Sequence, residues 1–341
     1  MYSEIFIFQI PIRKKMIIHR YTRPVILRIF SSSLFALNYS VKSNNQSKLP
    51  WTSTESTNQL LKTLNNRGDY ERAFRLFDNL IKQNNINIKT LLTIIDTCIR
   101  SNQIGRGRQI ELLVNQSTKW KNHIRLQTSL INMYMKYQMI DQAERIFENI
   151  HQLPECDIIV YNTMLKGYLR NHKAEYCFNF FDKMRSKFIP DNVTYILLLN
   201  ACTVLRDKTR GKAIHSELLS TLDNQHVHLH NALIDFYGKI NELDSAEKIF
   251  DEMNLRETST YNSLMKAYLV NNMPVKVLDL FEQMKQYDLH MTGPLAFKPD
   301  LITFMAICDA CEKLGLLDSP DSSYEEYNWK RIFSRSSIIE K

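Results

Sequence analysis

Residues 161–184 read YNTMLKGYLRNHKAEYCFNFFDKM, residues 230–253 read HNALIDFYGKINELDSAEKIFDEM, and residues 261–284 read YNSLMKAYLVNNMPVKVLDLFEQM. The three align without a gap. QTSLINMYMKYQMIDQAERIFENI at 127–150 fits the same frame, and TNQLLKTLNNRGDYERAFRLFDNL at 57–80 fits it more loosely. Self-similarity of this length marks a repeat architecture in which each repeat is one supersecondary unit.

The frame sets units at 54–87, 88–123, 124–157, 158–191, 192–226, 227–257 and 258–300, with a partial unit at 301–318. Positions are given below as slots counted from each unit's first residue. Within a unit the apolar residues fall on two helical runs. The first carries Leu64, Tyr134, Tyr168, Tyr237 or Tyr268 at slot 11. The second carries a small residue at slot 20 (Ala73, Ala143, Cys177, Ala246) and a bulky pair at slots 23 and 24, such as Ile146 with Phe147. A small residue lets two helices approach, and a bulky pair fills the groove against the next hairpin. One hairpin cannot bury these faces alone, so the expected fold is an all-α solenoid of stacked helix-turn-helix units. Eight Gly and nine Pro in 341 residues disfavour glycine-rich phosphate loops and all-β folds.

A second unit type alternates with the first. TLLTIIDTCIRSNQIGRGRQIEL (90–112), TYILLLNACTVLRDKTRGKAIHSEL (194–218) and TFMAICDACEKLGLLD (303–318) place Cys98, Cys202 and Cys311 at slot 11. The first two have Gly107 and Gly211 at slot 20, and the Cys type returns at every third unit. VTYILLLNAC, GKAIHSEL, HNALIDFYGKINELDSAEKIFDEM and KPDLITF resemble the pentatricopeptide repeat family, in the subclass that alternates standard, longer and shorter motifs. The resemblance covers about 54–318 and implies a right-handed superhelical solenoid. Two departures stand out, an insertion at YDLHMTGPLAF in the unit 258–300 and a last unit broken off after one helix.

Function, as the resemblance implies, is the binding of single-stranded RNA at one base per non-Cys unit, read by slot 5 and by the unit's last residue. Those pairs are Asn58 with Asn87, Thr128 with Asp157, Asn162 with Asp191, Asn231 with Glu257, and Asn262 with Asp300. By the family's code Asn with Asn favours C, Thr with Asp favours G, and Asn with Asp favours U. Slot 2 in the family sandwiches each base, and here Ile159, Val193 and Ile302 are apolar while Arg125 and His228 offer stacking. A capping role competes at slot 5, because Asn and Thr near helix starts are common caps. Slot 3 already supplies Ser56, Thr90, Thr194, Thr260 and Thr303 as candidate caps. The Cys-type units carry Leu92, Ile196 and Met305 at slot 5, although their helices need caps as well. Polarity at slot 5 thus follows unit type, which favours base reading over a peptide-binding scaffold, the alternative for such a solenoid.

Charge gives this reading little help. The chain carries +8, but residues 1–50 hold eight Lys and Arg against Glu4 alone, which leaves 36 basic and 35 acidic residues in the body. Longer members of the subclass end in a zinc-dependent deaminase domain with His-x-Glu and Pro-Cys-x-x-Cys. His215-Ser216-Glu217 and Cys308-Asp309-Ala310-Cys311 are fragments of that pattern, with no Pro before Cys308 and a full unit between them. Both have structural explanations within Cys-type units, and no deaminase domain is recognisable. His226, His228 and His230 alternate at a unit boundary and read as surface residues near a helix start rather than a metal site. No enzyme activity, metal or cofactor is expected, and any RNA modification would come from an enzyme acting in trans.

The basic, Ser-rich and acid-poor segment 1–50 has the composition of a mitochondrial targeting sequence, and Arg28-Ile29-Phe30-Ser31-Ser32 resembles a cleavage site for a matrix protease. No later segment approaches the roughly 18 apolar residues of a membrane span. Residues 319–341 do not continue the repeat and read as a capping helix or a disordered tail. A fluorescent protein fused after residue 50 is expected to enter mitochondria and to be shortened on import, as microscopy and immunoblotting would show. An intact fusion that stays in the cytosol would remove the targeting assignment.

Overall fold

A computed structural model describes residues 54–218, 226–290 and 299–315. Residues 1–50, whose composition suggested targeting, residues 291–298 of the insertion and the segment 319–341 lie outside the described residues. The described chain is all-helical and contains no strand.

Helices come in pairs joined by tight turns: α1 (Thr54–Arg67) with α2 (Tyr70–Lys82), α3 (Ile88–Ser101) with α4 (Ile104–Gln116), and α5 (Ile124–Lys136) with α6 (Ile140–Ile150). The series continues with α7 (Ile158–Arg170) and α8 (Ala174–Arg185), α9 (Asn192–Leu205) and α10 (Lys208–Leu218), and α11 (Val227–Lys239) and α12 (Leu243–Glu252). It ends with α13 (Thr258–Val270), α14 (Pro274–His290) and the single helix α15 (Leu301–Lys313). Each odd-numbered helix packs on the next odd-numbered one, from α1 on α3 to α13 on α15, so the first helices form one layer. Every even-numbered helix packs against its own partner, and most also touch the following first helix. This is the all-α solenoid expected from the repeat.

One backbone device closes every hairpin. Slot 15 is in the left-handed region throughout: Gly68, Asn102, Gln138, His172, Arg206, Asn241, Asn272 and Gly315 have φ between 54° and 75°. The N–H at slot 16 then reaches back to the slot 11 carbonyl, as Gln103 does to Cys98 (3.1 Å) and Lys173 to Tyr168 (2.9 Å). That bond satisfies a carbonyl which the helix end would otherwise leave unpaired. Only two of the eight are Gly, so six non-glycine residues adopt a conformation that costs an L-residue about 1–2 kcal/mol.

Packing between units follows two patterns. Where one standard unit follows another, the slot 24 ring meets a slot 4 Tyr edge-on: Phe147 against Tyr161 at 5.0 Å and Phe250 against Tyr261 at 5.2 Å. The slot 11 hydroxyl of the following unit reaches a slot 21 carboxylate, Tyr168 to Glu144 at 2.7 Å and Tyr268 to Glu247. After a Cys-type unit the slot 11 Tyr finds a polar group at slot 24 instead. Tyr134 donates to Glu111, and Tyr237 pairs with His215 Nδ1 at 2.7 Å. His215 is thereby a structural partner, and burial lowers its pKa below the usual imidazole value.

The glycine at slot 20 of the Cys type makes room for slot 10 of the next unit. A Cβ on Gly107 would fall 2.4 Å from Met133 Sδ, and one on Gly211 would fall 2.0 Å from the Phe236 ring. Phe236 is fully buried, so the ring has nowhere to retreat. Gly211→Ala is therefore expected to destabilise the fold by about 1–3 kcal/mol. Phe236→Leu added to it should recover part of the loss, read as the midpoint of urea unfolding.

Candidate functional site

Slots 2, 5, 9 and 13 of a first helix are spaced by three, four and four residues, which places them on one helix face. At slot 2, Ile159, Val193 and Ile302 are exposed by 61%, 52% and 61%, high values for such side chains. Arg125 and His228 are exposed as well. At slot 13 a row that the charge balance concealed comes into view: Arg100, Lys136, Arg170, Lys239 and Lys313, each in the last turn of its helix. Cations there complement the helix dipole, and Lys136 and Lys313 also bond carbonyls of the preceding unit at Ile99 and Leu269.

Helix starts differ from the expectation at slot 3. The caps are the last residues of the preceding units. Side-chain oxygens of Asn87, Asp157, Asp191 and Asp300 accept the N–H of Thr90 (2.9 Å), Val160 (3.2 Å), Thr194 (2.8 Å) and Thr303 (2.9 Å). The Thr residues sit one turn inside, at the third helical position, and their hydroxyls accept the cap residue's own N–H, as Thr260 does from Glu257 at 3.1 Å. Ser56 likewise lies inside α1. The slot 3 hydroxyls complete capping boxes and are not the caps. After Cys-type units, α5 and α11 start at His123 and His226, neither of which makes a side-chain cap bond.

The slot 5 amides join these junctions. Asn162 Nδ2 donates to Asp191 Oδ1 at 3.1 Å, while Asn162 Oδ1 accepts the Thr194 hydroxyl at 2.8 Å. Asn262, Asp300 and Thr303 repeat the arrangement at 3.0 and 2.8 Å, despite the insertion between Asn262 and Asp300. Asn58, Asn87 and Thr90 do so at 3.4 and 2.7 Å. The three slot 5 amides are buried, whereas Asp191 and Asp300 are exposed. Burial by itself would raise the Asp191 pKa. Hydrogen bonds from the Thr194 N–H and hydroxyl, the Asn162 amide and the Val193 N–H outweigh it and hold the carboxyl below its usual value.

Two of the five pairs are built differently. The Thr128 hydroxyl bonds the Ile124 carbonyl of its own helix at 2.7 Å, and Asp157 caps α7, whose third position is Val160. Asn231 Nδ2 goes to Ser259 Oγ at 2.9 Å, Ser259 donates to Glu257 at 3.3 Å, and the buried Asn231 Oδ1 has no partner. Among the histidines, His230 is buried with Nδ1 on the His226 carbonyl at 3.0 Å, because it falls on the packed face of α11; it is not a surface residue.

The cysteines at slots 11 and 20 are buried. Burial pushes Cys98, Cys177 and Cys202 up to about 12 and raises Cys311. No group of three or more His, Cys, Asp or Glu residues among the described residues is placed to hold a metal ion.

Comparison with known proteins points in one direction. Residues 157–203 match the PPR repeat family, and residues 229–257 and 259–289 match the PPR repeat. The chain is 29% identical over 268 residues to a protein of Arabidopsis thaliana named as pentatricopeptide repeat-containing and mitochondrial, covering 77% of this chain. It is 26% identical over 246 residues to one named as chloroplastic, covering 72%. The chain spans 41% and 29% of those relatives' lengths. Its fold is similar to that of the pentatricopeptide repeat protein PPR10, solved in complex with an 18-nt psaJ RNA element. The TM-score is 0.60 at 18% identity, over 87% of this chain and 42% of the other.

The junction at Asp191 makes a separable prediction. Asp191→Ala is expected to cost about 1 kcal/mol at neutral pH through the lost cap. The lowered carboxyl pKa means that this stabilisation is present above the unfolded value, near 3.8, and is lost as pH falls through the folded value. Urea titrations should thus show the gap between the two proteins closing in acid.

Proposed function

We propose that this chain is a pentatricopeptide repeat protein of the alternating subclass that binds single-stranded RNA in mitochondria and reads part of its sequence. It serves organellar RNA metabolism such as editing, processing or stabilisation. The observation that carries the reading is the junction of Asn162, Asp191 and Thr194, recurring at Asn262, Asp300 and Thr303.

Its chemistry suits a base edge. Turned the other way, the Asn162 amide would bring its oxygen against the Asp191 carboxylate, so the amide hydrogens face the acid. One N–H of Asn162 and one oxygen of Asp191 are left over, a donor beside an acceptor. Uracil offers the complement, a carbonyl oxygen beside N3–H, whereas cytosine seated in the same position, with N3 toward the acid, would put a lone pair against the carboxylate. At Asn58 and Asn87 the Asn87 oxygen is taken by the Thr90 N–H, so both amides offer hydrogens. That pair suits the N3 and O2 acceptors of cytosine. Ile159 and Val193 supply exposed apolar surface on either side of the Asn162 junction, suited to the faces of an unstacked base. The slot 13 cations lie about 12 Å along the helix from slot 5 and serve the phosphates, which position the strand without specifying it.

With the N-terminus toward the 5′ end, the units in order favour 5′-C-N-G-U-N-N-U-3′, where N is any base. The 18-nt RNA held by the solved structure supports the ligand class, the mitochondrial and chloroplastic names of the Arabidopsis relatives support an organelle, and the composition of residues 1–50 supports the mitochondrion. Base modification would fall to an enzyme acting in trans. Asn162→Thr replaces the donor amide with a hydroxyl and is expected to turn that unit's preference from U toward G, by about 1 kcal/mol. Competition binding with RNAs differing at that base measures it. Equal weakening for all RNAs would show that slot 5 is structural and would favour the scaffold.

A further inference from the structure

We propose that Thr90, Thr194 and Thr303 are positioning residues for recognition by the preceding unit, fixing which way the slot 5 amide faces. The proposal rests on the RNA-reading function above. It adds a residue that belongs to the neighbouring unit and touches no base.

The oxygen and the NH2 of an Asn side chain are nearly the same size, so a half-turn costs little in packing and exchanges donor for acceptor. Hydrogen-bond partners alone select the orientation. Thr194 is placed to do so because its own orientation is fixed twice over: its N–H is held by the Asp191 side chain, and its oxygen accepts the Asp191 N–H at 3.4 Å. The hydroxyl hydrogen is then directed at side-chain oxygens, Asn162 Oδ1 and Asp191 Oδ1, both at 2.8 Å. A flipped Asn162 would present hydrogens to that hydroxyl and an oxygen to the acid.

The pairing is selective along the chain. Every slot 5 Asn precedes a unit with Thr at slot 3, while Thr128, which has no amide to orient, precedes Val160. The Cys-type units, with Leu92 and Ile196 at slot 5, precede Leu126 and Leu229. Capping alone does not account for this, since Asp157 caps α7 without a Thr. The unit 227–257 is the internal contrast. Its Asn231 has turned its nitrogen to Ser259, Thr260 does not reach it, and Oδ1 is unpartnered. The weakest discrimination among the Asn units is expected there. At Asn58 the neighbour Asn87 is neutral and its contact long, 3.4 Å, so Thr90 at 2.7 Å carries more of the selection than Thr194 does.

The test uses the full chain and RNAs of the proposed sequence carrying U or C at the 158–191 position. Thr194→Ser keeps the hydroxyl and should leave the U-over-C ratio within about twofold of wild type, whereas Thr194→Val should reduce it about three- to tenfold. Thr90→Val, read as C over U at the first position, should lose more. It also decides the matter if Thr194→Val fails to fold. A valine variant that melts earlier but keeps its ratio would reduce these residues to capping and overturn the proposal. A wild type that binds RNA without preference at these positions would overturn the base-reading function together with it, and so is a different result from the first.

Discussion

A helix begins with several backbone N–H groups that no residue of the same helix can satisfy, and at four first helices of this chain the residue that ends the preceding unit meets part of that deficit. Asn87, Asp157, Asp191 and Asp300 each close one unit and cap the next first helix. Asn87, Asp191 and Asp300 also meet the slot 5 amide of their own unit. Helix initiation, the seating of one hairpin on the next and the proposed base-reading edge therefore share one set of atoms. A residue that must cap is confined to Asn, Asp or a near equivalent, and those side chains can also present a donor or an acceptor to a base.

Because each junction draws on two units, no hairpin is complete alone. Phe147 needs Tyr161, Tyr237 needs His215, and Gly211 is empty so that Phe236 can enter. Unit type has a packing basis here: a Cys-type unit offers a glycine notch and a polar slot 24, and a standard unit that precedes another standard unit offers an aromatic slot 24 with an acid at slot 21, Glu144 or Glu247. Each kind of surface is met by a matching follower. Stability in such an array is the sum of unit and nearest-neighbour interface contributions.

Charge is distributed by the same logic. Arg106 pairs with Asp78, Arg210 with Glu175, Lys212 with Glu242 and Lys276 with Glu247, each joining successive units. Exposed pairs of this kind contribute about 0–1 kcal/mol each. The slot 13 row lies apart from these pairs on the helix face that carries slots 2 and 5, although its Arg100 is itself paired with Asp96 at 2.7 Å. A neutral body and an ordered basic row are compatible.

The linear sequence was enough to determine the unit, its two types, the buried slots and the all-α class, because those are properties of periodicity and each hairpin packs mainly on its neighbours in the chain. The candidate pairs could also be named from it. It could not say which residues cap the helices, since several hydroxyl and amide side chains stand near every start and the choice depends on where the helix begins in space. Nor could it show that Asn262 and Asp300 meet as Asn162 and Asp191 do, because the insertion changes their separation in sequence but not in the folded junction. Gln138, His172 and Arg206 give no local sign of left-handed backbone; the close return of the second helix onto the first imposes it. His230, which alternates with its neighbours on paper, is drawn inward by the face of α11 that packs on α9 and α13. In each case the deciding contact joins residues that are far apart in the chain or differ in chemistry from unit to unit, and only stacking brings them together.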